Sequence, residues 1–254
     1  MQRAVVLAWP ALLMRPAVIL IPGNMCDARL WDGGAGILRR ALADHGLAII
    51  DADTTRDATI EAMALRALAA SDGPILPVGF SMGAIVALAI AQLAPDRISG
   101  MALFGLNAGA DLPERATARQ RQQAEVRNGG LERILVEELK PNYLAAANRH
   151  NEAMLELVRD MGMALGPQVF ISQSEALRTR TDLRPVLDTT PAPVLLGCGE
   201  EDGLCPPAWH QDWAARLADG QITIFAGAGH LLPLEAPQAF ADTLIAWINE
   251  RDFA

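Results

Sequence analysis

The feature that most constrains the fold is an alternation of short apolar runs with longer stretches of helical periodicity. The apolar runs are each about one strand long, and they lie at 17–21, 47–50, 75–80, 98–104, 194–198 and 222–225. Between them, apolar residues recur with helical spacing in 58–70, 82–94, 209–217 and 236–249. Apolar strands that alternate with amphipathic helices are typical of a sheet covered by helices on both faces. The sequence therefore predicts an α/β fold with a mostly parallel sheet.

The alternation fails across 107–185, where helical patterns follow one another without a strand-like run between them. Segments 131–139 and 151–163 have helical periodicity. Glycine and proline residues separate these patterns: Gly129, Pro141, Gly166 and Pro167. We therefore expect a helical cap insertion at 107–185 that lies over a substrate pocket, between two segments of the core at 1–106 and 186–254.

The charge balance argues against a nucleic-acid partner. The 254 residues carry a formal net charge of −9 at pH 7, and such a field repels phosphate backbones and anionic lipid headgroups. The one arginine-dense run, 115–127, also contains Glu125, so it predicts a solvated helix face rather than a binding patch. We expect no nucleic acid and no membrane among the partners of this chain.

The cysteine count and the opening residues bear on the cellular compartment. Cys26, Cys198 and Cys205 are odd in number and share no metal-ligand spacing, so they predict neither a disulfide framework nor a metal site. The apolar stretch 4–14 follows Arg3, but no small-residue cleavage site follows it. In addition, no segment has the apolar length that spans a bilayer. We therefore expect a cytoplasmic protein.

A serine lies at the junction between a predicted strand and a predicted helix. Residues 77–83 read PVGFSMG, so Ser81 lies within the pattern G-x-S-x-G. In this context the pattern is typical of a nucleophile elbow, a tight turn that pushes the serine hydroxyl out of the sheet. Glycines at the flanking positions allow neighbouring chain to pass closely. We predict Ser81 as a catalytic nucleophile, and the alternative is a serine that only caps the helix.

A serine hydroxyl needs a neighbouring base to remove its proton at neutral pH, and the chain has four histidines. His45 lies in a predicted turn, His150 lies in the insertion, and His210 lies in a helix beside two tryptophans. His230 follows the last predicted strand across a glycine-rich loop, AGAGH, and precedes the last helix. Because such a loop is able to aim the ring at Ser81, we predict His230 as the general base. The alternative is a structural histidine.

The third member of such a set is a carboxylate that orients the histidine and stabilises its charged form. After the fifth apolar run the sequence reads GCGEEDGLCPP. Asp202 stands at the turn in this segment, whereas Glu200 and Glu201 are placed to face solvent, so we predict Asp202 as the acid. Asp111, which follows the fourth apolar run, is the alternative.

Four motifs occur in order along nearly the whole chain: LIPGNMCDARLWD, GFSMG, GCGEEDGLCPP and GAGHLLPLEAPQAF. Together they resemble the α/β-hydrolase superfamily, whose catalytic residues also follow the order serine, acid, histidine. The resemblance implies the α/β-hydrolase fold with Ser81, Asp202 and His230 as its catalytic triad. The segment QSEALRTRTDLRPVL is similar to the region that joins cap and core in 3-oxoadipate enol-lactonase-like hydrolases. Two features depart from the family: the N-terminus is short for an opening hairpin of strands, and proline replaces histidine before the early glycine.

The resemblance also implies an oxyanion hole made of two backbone N–H groups. In this fold one group belongs to the residue after the nucleophile, and the other belongs to the loop after an early strand. These positions are Met82 and Asn24, the latter in the stretch ILIPGNMCD. An asparagine that follows a glycine is also common in turns, which is the alternative for Asn24.

The implied chemistry is acyl transfer to water without a cofactor. We expect the partner to be a small-molecule carboxylic ester or lactone. The predicted cap places apolar residues where they line an apolar pocket or pack the cap against the core: Met161, Met163, Leu165 and Phe170. The same triad serves thioesterases and carbon–carbon bond hydrolases, and some relatives are receptors that bind a ligand without turnover. These alternatives and a purely structural role stay open, as does the oligomeric state.

Overall fold

Six parallel strands form one sheet in the computed structural model, which describes residues 15–33, 35–139 and 143–253. The strands are β1 (Ala17–Ile21), β2 (Ile49–Asp51), β3 (Ile75–Phe80), β4 (Met101–Phe104), β5 (Val194–Gly199) and β6 (Gly220–Phe225). Their order across the sheet is β2-β1-β3-β4-β5-β6, and every neighbouring pair is parallel. The predicted α/β fold is confirmed. Residues 4–14, which concern the expectations about a leader and about opening strands, lie outside the described residues.

Helices connect the strands and cover the sheet. Before β4 they are α1 (Arg29–Asp32), α2 (Ile37–Asp44), α3 (Ile60–Leu68), α4 (Met82–Leu93) and a 3₁₀ turn at Pro95–Arg97. Between β4 and β5 they are α5 (Pro113–Arg127), α6 (Leu131–Arg133) with a π-helical continuation at Ile134–Leu139, a 3₁₀ turn at Ala146–Asn148, α7 (Glu152–Thr179) and α8 (Arg184–Thr189). After β5 they are α9 (Pro207–Ala214), α10 (Leu232–Glu235) and α11 (Pro237–Glu250). Within the described ranges, no helix has the length and apolar character that crossing a membrane requires.

Successive side chains of a strand enter two different apolar cores. In β1, Ile19 and Ile21 pack into a cluster that includes residues of α3 and α4. Val18 and Leu20 pack into a second cluster on the opposite face, with residues of α2 and α11. This division follows from the two-residue period of a strand. Because both faces of the strand are covered, its sequence is apolar throughout rather than alternating.

Helix α4 lies against the sheet, and all of its residues from 82 to 91 are buried. Its sequence is apolar on every side, as expected for a helix inside the core. The glycines at its start permit a close approach of the backbone. A Cβ on Gly83 would collide with the backbone of Ile21, and a Cβ on Gly79 would collide with the backbone of Gly83. The end of β3 and the start of α4 therefore pack backbone against backbone around Ser81.

Residues 105–139 and 143–193 form helices and loops without a strand, as the sequence predicts for the insertion. Helices α5 and α7 pack against each other, and Met25 joins them in a third apolar cluster. Helix α7 is interrupted at Gly166, whose φ of 82° and ψ of 176° are not helical. The division between a core and a cap at 107–185 stays a prediction.

Candidate active site

Ser81 occupies the turn between β3 and α4 in a strained backbone conformation. Its φ of 53° and ψ of −114° lie in a region that residues with a side chain seldom adopt. Such a conformation costs about 1–3 kcal/mol and persists only where the surrounding packing enforces it. The N–H of Ser81 donates to the carbonyl of Phe104 at 2.8 Å, which ties the turn to β4. The side chain of Ser81 lines a cavity.

The ring of His230 lies between Ser81 and Asp202. Its Nε2 is 3.0 Å from Oγ of Ser81, and its Nδ1 is 2.8 Å from Oδ2 of Asp202. The N–H of His230 donates to the carbonyl of Tyr143 at 2.8 Å, which fixes the loop that carries the ring. A Cβ on Gly105 would lie 3.0 Å from Cε1 of the ring, so glycine at that position leaves room for the imidazole. The fold therefore brings together the three side chains that the sequence singles out.

Asp202 is held as a buried carboxylate. Its Oδ1 accepts hydrogen bonds from the N–H groups of Leu204 and Cys205, at 2.9 and 2.8 Å. Burial acts to raise the pKa of Asp202, but the attraction of His230 and these hydrogen bonds outweigh it, so the pKa lies below its usual value. An ionised carboxylate favours a proton on Nδ1 of His230 and leaves Nε2 able to accept the proton of Ser81.

The other carboxylates that the sequence offers lie elsewhere. Glu200 and Glu201 are exposed, and each accepts a hydrogen bond from a backbone N–H. The side chain of Asp111 is buried, but its oxygens bind the guanidinium groups of two arginines at 2.9 and 2.8 Å. Asp202 is therefore the carboxylate that the fold brings to His230.

The other histidines have different surroundings. The ring of His45 binds a backbone carbonyl of α2, and His150 is exposed. His210 is fully buried, and its Nε2 accepts a hydrogen bond from the N–H of Leu106 at 3.0 Å. Burial lowers the pKa of His210 to about 4, so the ring is neutral at pH 7. His210 thus braces the loop that follows β4 beside His230, a role that its local sequence does not indicate.

Two backbone N–H groups lie close to Ser81. Met82 and Asn24 line the same cavity as Ser81, and Met82 begins α4, so its N–H has no partner within the helix. A Cβ on Gly23 would lie 3.3 Å from Cβ of Ser81, so the loop that carries Asn24 passes directly beside the serine. Within the part of the chain that the structure describes, neither N–H has a hydrogen-bond partner. Both groups are therefore available to a negatively charged oxygen.

Gln173 holds the loop that carries Asn24. Its Oε1 accepts hydrogen bonds from Nδ2 of Asn24 at 3.2 Å and from the N–H of Met25 at 2.8 Å. Its Nε2 donates to the carbonyl and to the hydroxyl of Thr54, at 3.2 and 3.3 Å. Met25 has a φ of 55°, so the amide stabilises a strained turn. The sequence pattern does not reveal this role, because Gln173 and Asn24 are 149 positions apart.

A cavity of about 220 Å³ lies over Ser81 and His230. Its apolar lining includes Phe80, Ile85, Leu139, Leu177 and Leu231. Much of its polar lining comes from one side of α5, with Arg115, Arg119 and Gln122. The cavity therefore has an apolar part and a wall that carries guanidinium groups.

Four residues that the sequence places around an apolar pocket do not line this cavity: Met161, Met163, Leu165 and Phe170. Met161 and Phe170 are buried in different apolar clusters, and Leu165 packs against the cluster of Phe170. Met163 is exposed. The pocket interpretation is wrong for this cavity; Met161, Leu165 and Phe170 instead pack in apolar clusters, which is the alternative that the sequence left open. The prediction of a solvated face for 115–127 is wrong in part, because two of its arginines line the cavity.

The described residues include one group with side-chain types that bind metal ions, formed by Asp202, Cys205 and His230. Their ligand atoms lie within 4.8 Å of one another. Both ring nitrogens of His230 are already engaged, with Asp202 and with Ser81. Burial and the charge of Asp202 raise the pKa of the Cys205 thiol, so it stays protonated. This donor set fits a hydrogen-bonded relay better than a metal centre, and the absence of a cofactor stays a prediction.

The three site residues follow different strands at one edge of the sheet. Ser81 follows β3, Asp202 follows β5 and His230 follows β6. The carboxyl ends of parallel strands are where α/β enzymes bind their ligands. The fold and the position of these three residues are therefore those of an α/β enzyme. The sequence matches the alpha/beta hydrolase family over residues 18–243, and the chain therefore belongs to that family.

Known relatives of this chain include esterases. It is 28% identical over 206 residues to a pimeloyl-[acyl-carrier protein] methyl ester esterase from Neisseria meningitidis serogroup B, covering 79% of this chain and 77% of the relative. A thermophilic esterase from Thermogutta terrifontis, solved with malate bound, matches with a TM-score of 0.83 and 26% identity, over 93% of this chain and 90% of that one. The enol-lactonase from Burkholderia xenovorans LB400 matches in fold with a TM-score of 0.81 and 22% identity, over 93% and 92%.

Proposed function

We propose that this chain is a serine hydrolase that cleaves a small carboxylic ester or lactone through an acyl-enzyme on Ser81. The observation that carries this proposal is the relay from Oγ of Ser81 through His230 to Asp202, with distances of 3.0 and 2.8 Å. A serine hydroxyl that is hydrogen-bonded to an oriented imidazole is an activated nucleophile for a carbonyl carbon. The serine reaches the cavity, whereas Asp202 is shielded from solvent.

In the first step, Oγ of Ser81 attacks the carbonyl carbon of the substrate while Nε2 of His230 takes the hydroxyl proton. The carboxylate of Asp202 stabilises the imidazolium that forms. The backbone N–H groups of Asn24 and Met82 hold the negative charge on the carbonyl oxygen. When the intermediate collapses, His230 donates its proton to the leaving alkoxide, which in a lactone stays attached to the acyl chain.

In the second step, a water molecule replaces the departed alcohol and attacks the acyl-enzyme. His230 takes a proton from this water, and the same two N–H groups hold the oxyanion. Collapse of the second intermediate returns the proton from His230 to Ser81 and releases the carboxylic acid. Apart from this water, the proposed steps use only groups of the chain and of the substrate.

The size of the cavity and the relatives support a small ester. The cavity of about 220 Å³ is smaller than the roughly 300–1,000 Å³ of pockets that hold drug-sized ligands. Ester cleavage is supported by the two relatives named as esterases, and lactone cleavage by the likeness in fold to an enol-lactonase. Thioester cleavage and carbon–carbon bond cleavage are the alternatives with the same relay. A receptor that binds a ligand without turnover is the alternative of another class.

The proposal also includes a cytoplasmic location and a helical cap at 107–185. All three cysteines lie in the described ranges and are free and buried, which supports a reducing cytoplasm. The arginine-bearing side of α5 lines the cavity over Ser81, which supports a helical cap at 107–185.

Hydrolysis of a substrate panel tests the proposed function. The panel contains methyl and p-nitrophenyl esters of rising acyl length, lactones and acyl thioesters. We expect the wild type to hydrolyse at least one ester or lactone, and Ser81→Ala and His230→Ala to lose this activity. Ser71→Ala and His150→Ala, which lie outside the cavity lining, are the matched controls and should keep it.

Each outcome of the panel separates the alternatives. Ester hydrolysis that survives in Ser81→Ala contradicts the mechanism. Turnover of thioesters alone favours the thioesterase. If the wild type hydrolyses no compound in the panel, carbon–carbon bond hydrolysis and a receptor role are better supported than ester cleavage.

A further inference from the structure

One side of helix α5 is turned into the cavity over Ser81. Arg115, Ala118, Arg119 and Gln122 all line the cavity, and their spacing places them on the same face of the helix. A helix that covers a core usually turns an apolar face inward. Two arginines and a glutamine on the helix face that lines the cavity therefore indicate a polar ligand.

Positive charge exceeds negative charge at this wall. The side chain of Asp111 is 1% exposed and binds both Arg119, at 2.9 Å, and Arg180, at 2.8 Å. One carboxylate therefore serves two guanidinium groups. Arg115 makes no ion pair and no hydrogen bond with any residue that the structure describes. It therefore has no ion-pair partner among these residues, in a partly enclosed site where a bound opposite charge is stabilising.

Among the described residues, the one carboxylate that lines the cavity does not balance these arginines. Glu138 binds Arg121 at 2.6 Å and Arg133 at 2.9 Å, and neither of these arginines lines the cavity. The hydrogen bond from Arg121 lowers the pKa of Glu138 to about 2, so it is ionised and already neutralised. Gln122 donates its amide to Glu138 at 3.0 Å, which fixes the glutamine on the wall.

The charge of Arg115 also reaches the residues around Asp202. Burial and the charge of Asp202 raise the pKa of the Cys205 thiol, and the charges of Arg115 and Arg180 act against that rise. Both guanidinium groups therefore lie close enough to Cys205, which also lines the cavity, to influence its thiol. An anion bound to this wall would lie within the same small cavity as Ser81.

We propose that the wall formed by Arg115, Arg119 and Gln122 is a subsite for a carboxylate carried by the substrate. Guanidinium groups bind a planar carboxylate through paired hydrogen bonds. Because the chain as a whole carries a net charge of −9, a positive cavity also directs an anion to this one place. This inference rests on the proposed hydrolysis, since Ser81 lies in the same cavity. The substrate is then an acidic ester or lactone, such as a half-ester of a short dicarboxylic acid.

A comparison of two methyl esters of equal acyl length tests the subsite. Monomethyl glutarate carries a carboxylate and methyl pentanoate does not, and proton release at constant pH measures both reactions. We expect the wild type to hydrolyse monomethyl glutarate with a kcat/KM about tenfold or more above that of methyl pentanoate, as expected for a charged hydrogen bond. Hydrolysis of both esters without this preference overturns the subsite.

Substitution of Arg115 locates the preference. Arg115→Gln should lower kcat/KM for monomethyl glutarate about tenfold more than for methyl pentanoate, mainly through a higher KM. Arg127→Gln, on the same helix but outside the cavity lining, is the matched control and should change neither reaction. An equal loss for both esters in Arg115→Gln contradicts the proposal.

Binding without turnover separates the subsite from the catalytic proposal. Glutarate is titrated by calorimetry into Ser81→Ala and into the same variant carrying Arg115→Gln. We expect glutarate to bind the first about tenfold more tightly than the second, and more tightly than inorganic phosphate binds. Absence of glutarate binding, or tighter binding of phosphate, overturns the carboxylate subsite.

The two proposals can therefore fail independently. If glutarate binds as expected but the wild type hydrolyses no ester or lactone, the proposed hydrolysis fails and the subsite stands. If Ser81 hydrolyses methyl pentanoate but glutarate does not bind, the subsite fails and the proposed hydrolysis stands.

Discussion

Replacement of Gln173 by leucine tests whether one buried amide positions the loop that carries Asn24. The side chain is fully buried, accepts hydrogen bonds from Asn24 and Met25, and donates two to Thr54. Leucine has a similar size but makes none of these bonds. The N–H of Met25 and the carbonyl of Thr54 then lose their partner inside the protein.

The expected losses follow from these contacts. A buried polar group without a partner costs about 1–3 kcal/mol, so with two backbone groups affected we expect the free energy of unfolding to fall by about 2–6 kcal/mol. The φ of 55° at Met25 is strained, so the released turn relaxes and moves the N–H of Asn24. Removal of one oxyanion donor lowers kcat about 10²–10³-fold, and we expect a displaced donor to lower it about 10- to 100-fold. KM should change less, because in the proposed mechanism this donor acts on the transition state.

Urea unfolding and steady-state kinetics on the best ester measure the two effects separately. Gln123→Leu is the matched control, since Gln123 is also buried but binds Ser174 and Glu175 rather than the loop. It should lose stability and keep its kcat. Gln173→Glu retains an acceptor for the loop and should recover part of kcat. The positioning role is refuted if Gln173→Leu loses stability as Gln123→Leu does and its kcat is unchanged.

Buried titratable groups make three further results testable. We expect Asp202→Asn to lower kcat by about 10³–10⁴-fold, because the amide no longer fixes the tautomer of His230, the proposed general base; kinetics with the exposed Asp212→Asn as control check this, and comparable losses in both would contradict it. The pKa of His210 is about 4 in the folded protein and about 6.5 unfolded, so the unfolded chain binds more protons between these values and stability is lost as the pH falls through that window. The loss in the free energy of unfolding from this group is up to about 3 kcal/mol. Urea unfolding at about pH 7 and at about pH 4.5 measures it, and the loss should disappear in His210→Gln. An equal loss in both proteins would argue against the assignment. Burial raises the pKa of the thiols of Cys26 and Cys198 to about 12. Ellman's reagent at about pH 8 should therefore modify them slowly in the native protein and rapidly in urea, and rapid modification of the native protein would be inconsistent with their burial.

The sheet and the position of Ser81 are predictable because local sequence determines them. A strand that is covered on both faces is apolar at every position, so β3 and β5 are visible as continuous runs. The turn at Ser81 requires glycines where backbone passes backbone, and Gly79 and Gly83 meet that requirement. His230 and Asp202 can be chosen as candidates because each stands in a short loop after a strand.

The surroundings of these residues are not predictable in the same way, because they depend on contacts between distant parts of the chain. Gln173 meets Asn24 only through the packing of the insertion on the early loop. Helical periodicity shows which residues share a face, but it does not show whether that face meets solvent, another helix or a cavity. For this reason the sequence predicts Arg115 in solvent and leaves Phe170 open between a pocket and the packing of the cap, whereas the fold places Arg115 in the cavity lining and Phe170 in an apolar cluster.

An activated serine at position 81 is the central claim, and labelling with a fluorophosphonate tests it most directly. The probe reacts with a serine whose hydroxyl is activated by a base, and the mass of the labelled peptide identifies the site. We predict a single adduct on Ser81 in the wild type, no adduct in Ser81→Ala, and a strongly reduced yield in His230→Ala. A wild-type protein that takes up no label, or a Ser81→Ala variant that is labelled as readily as the wild type, would contradict the claim.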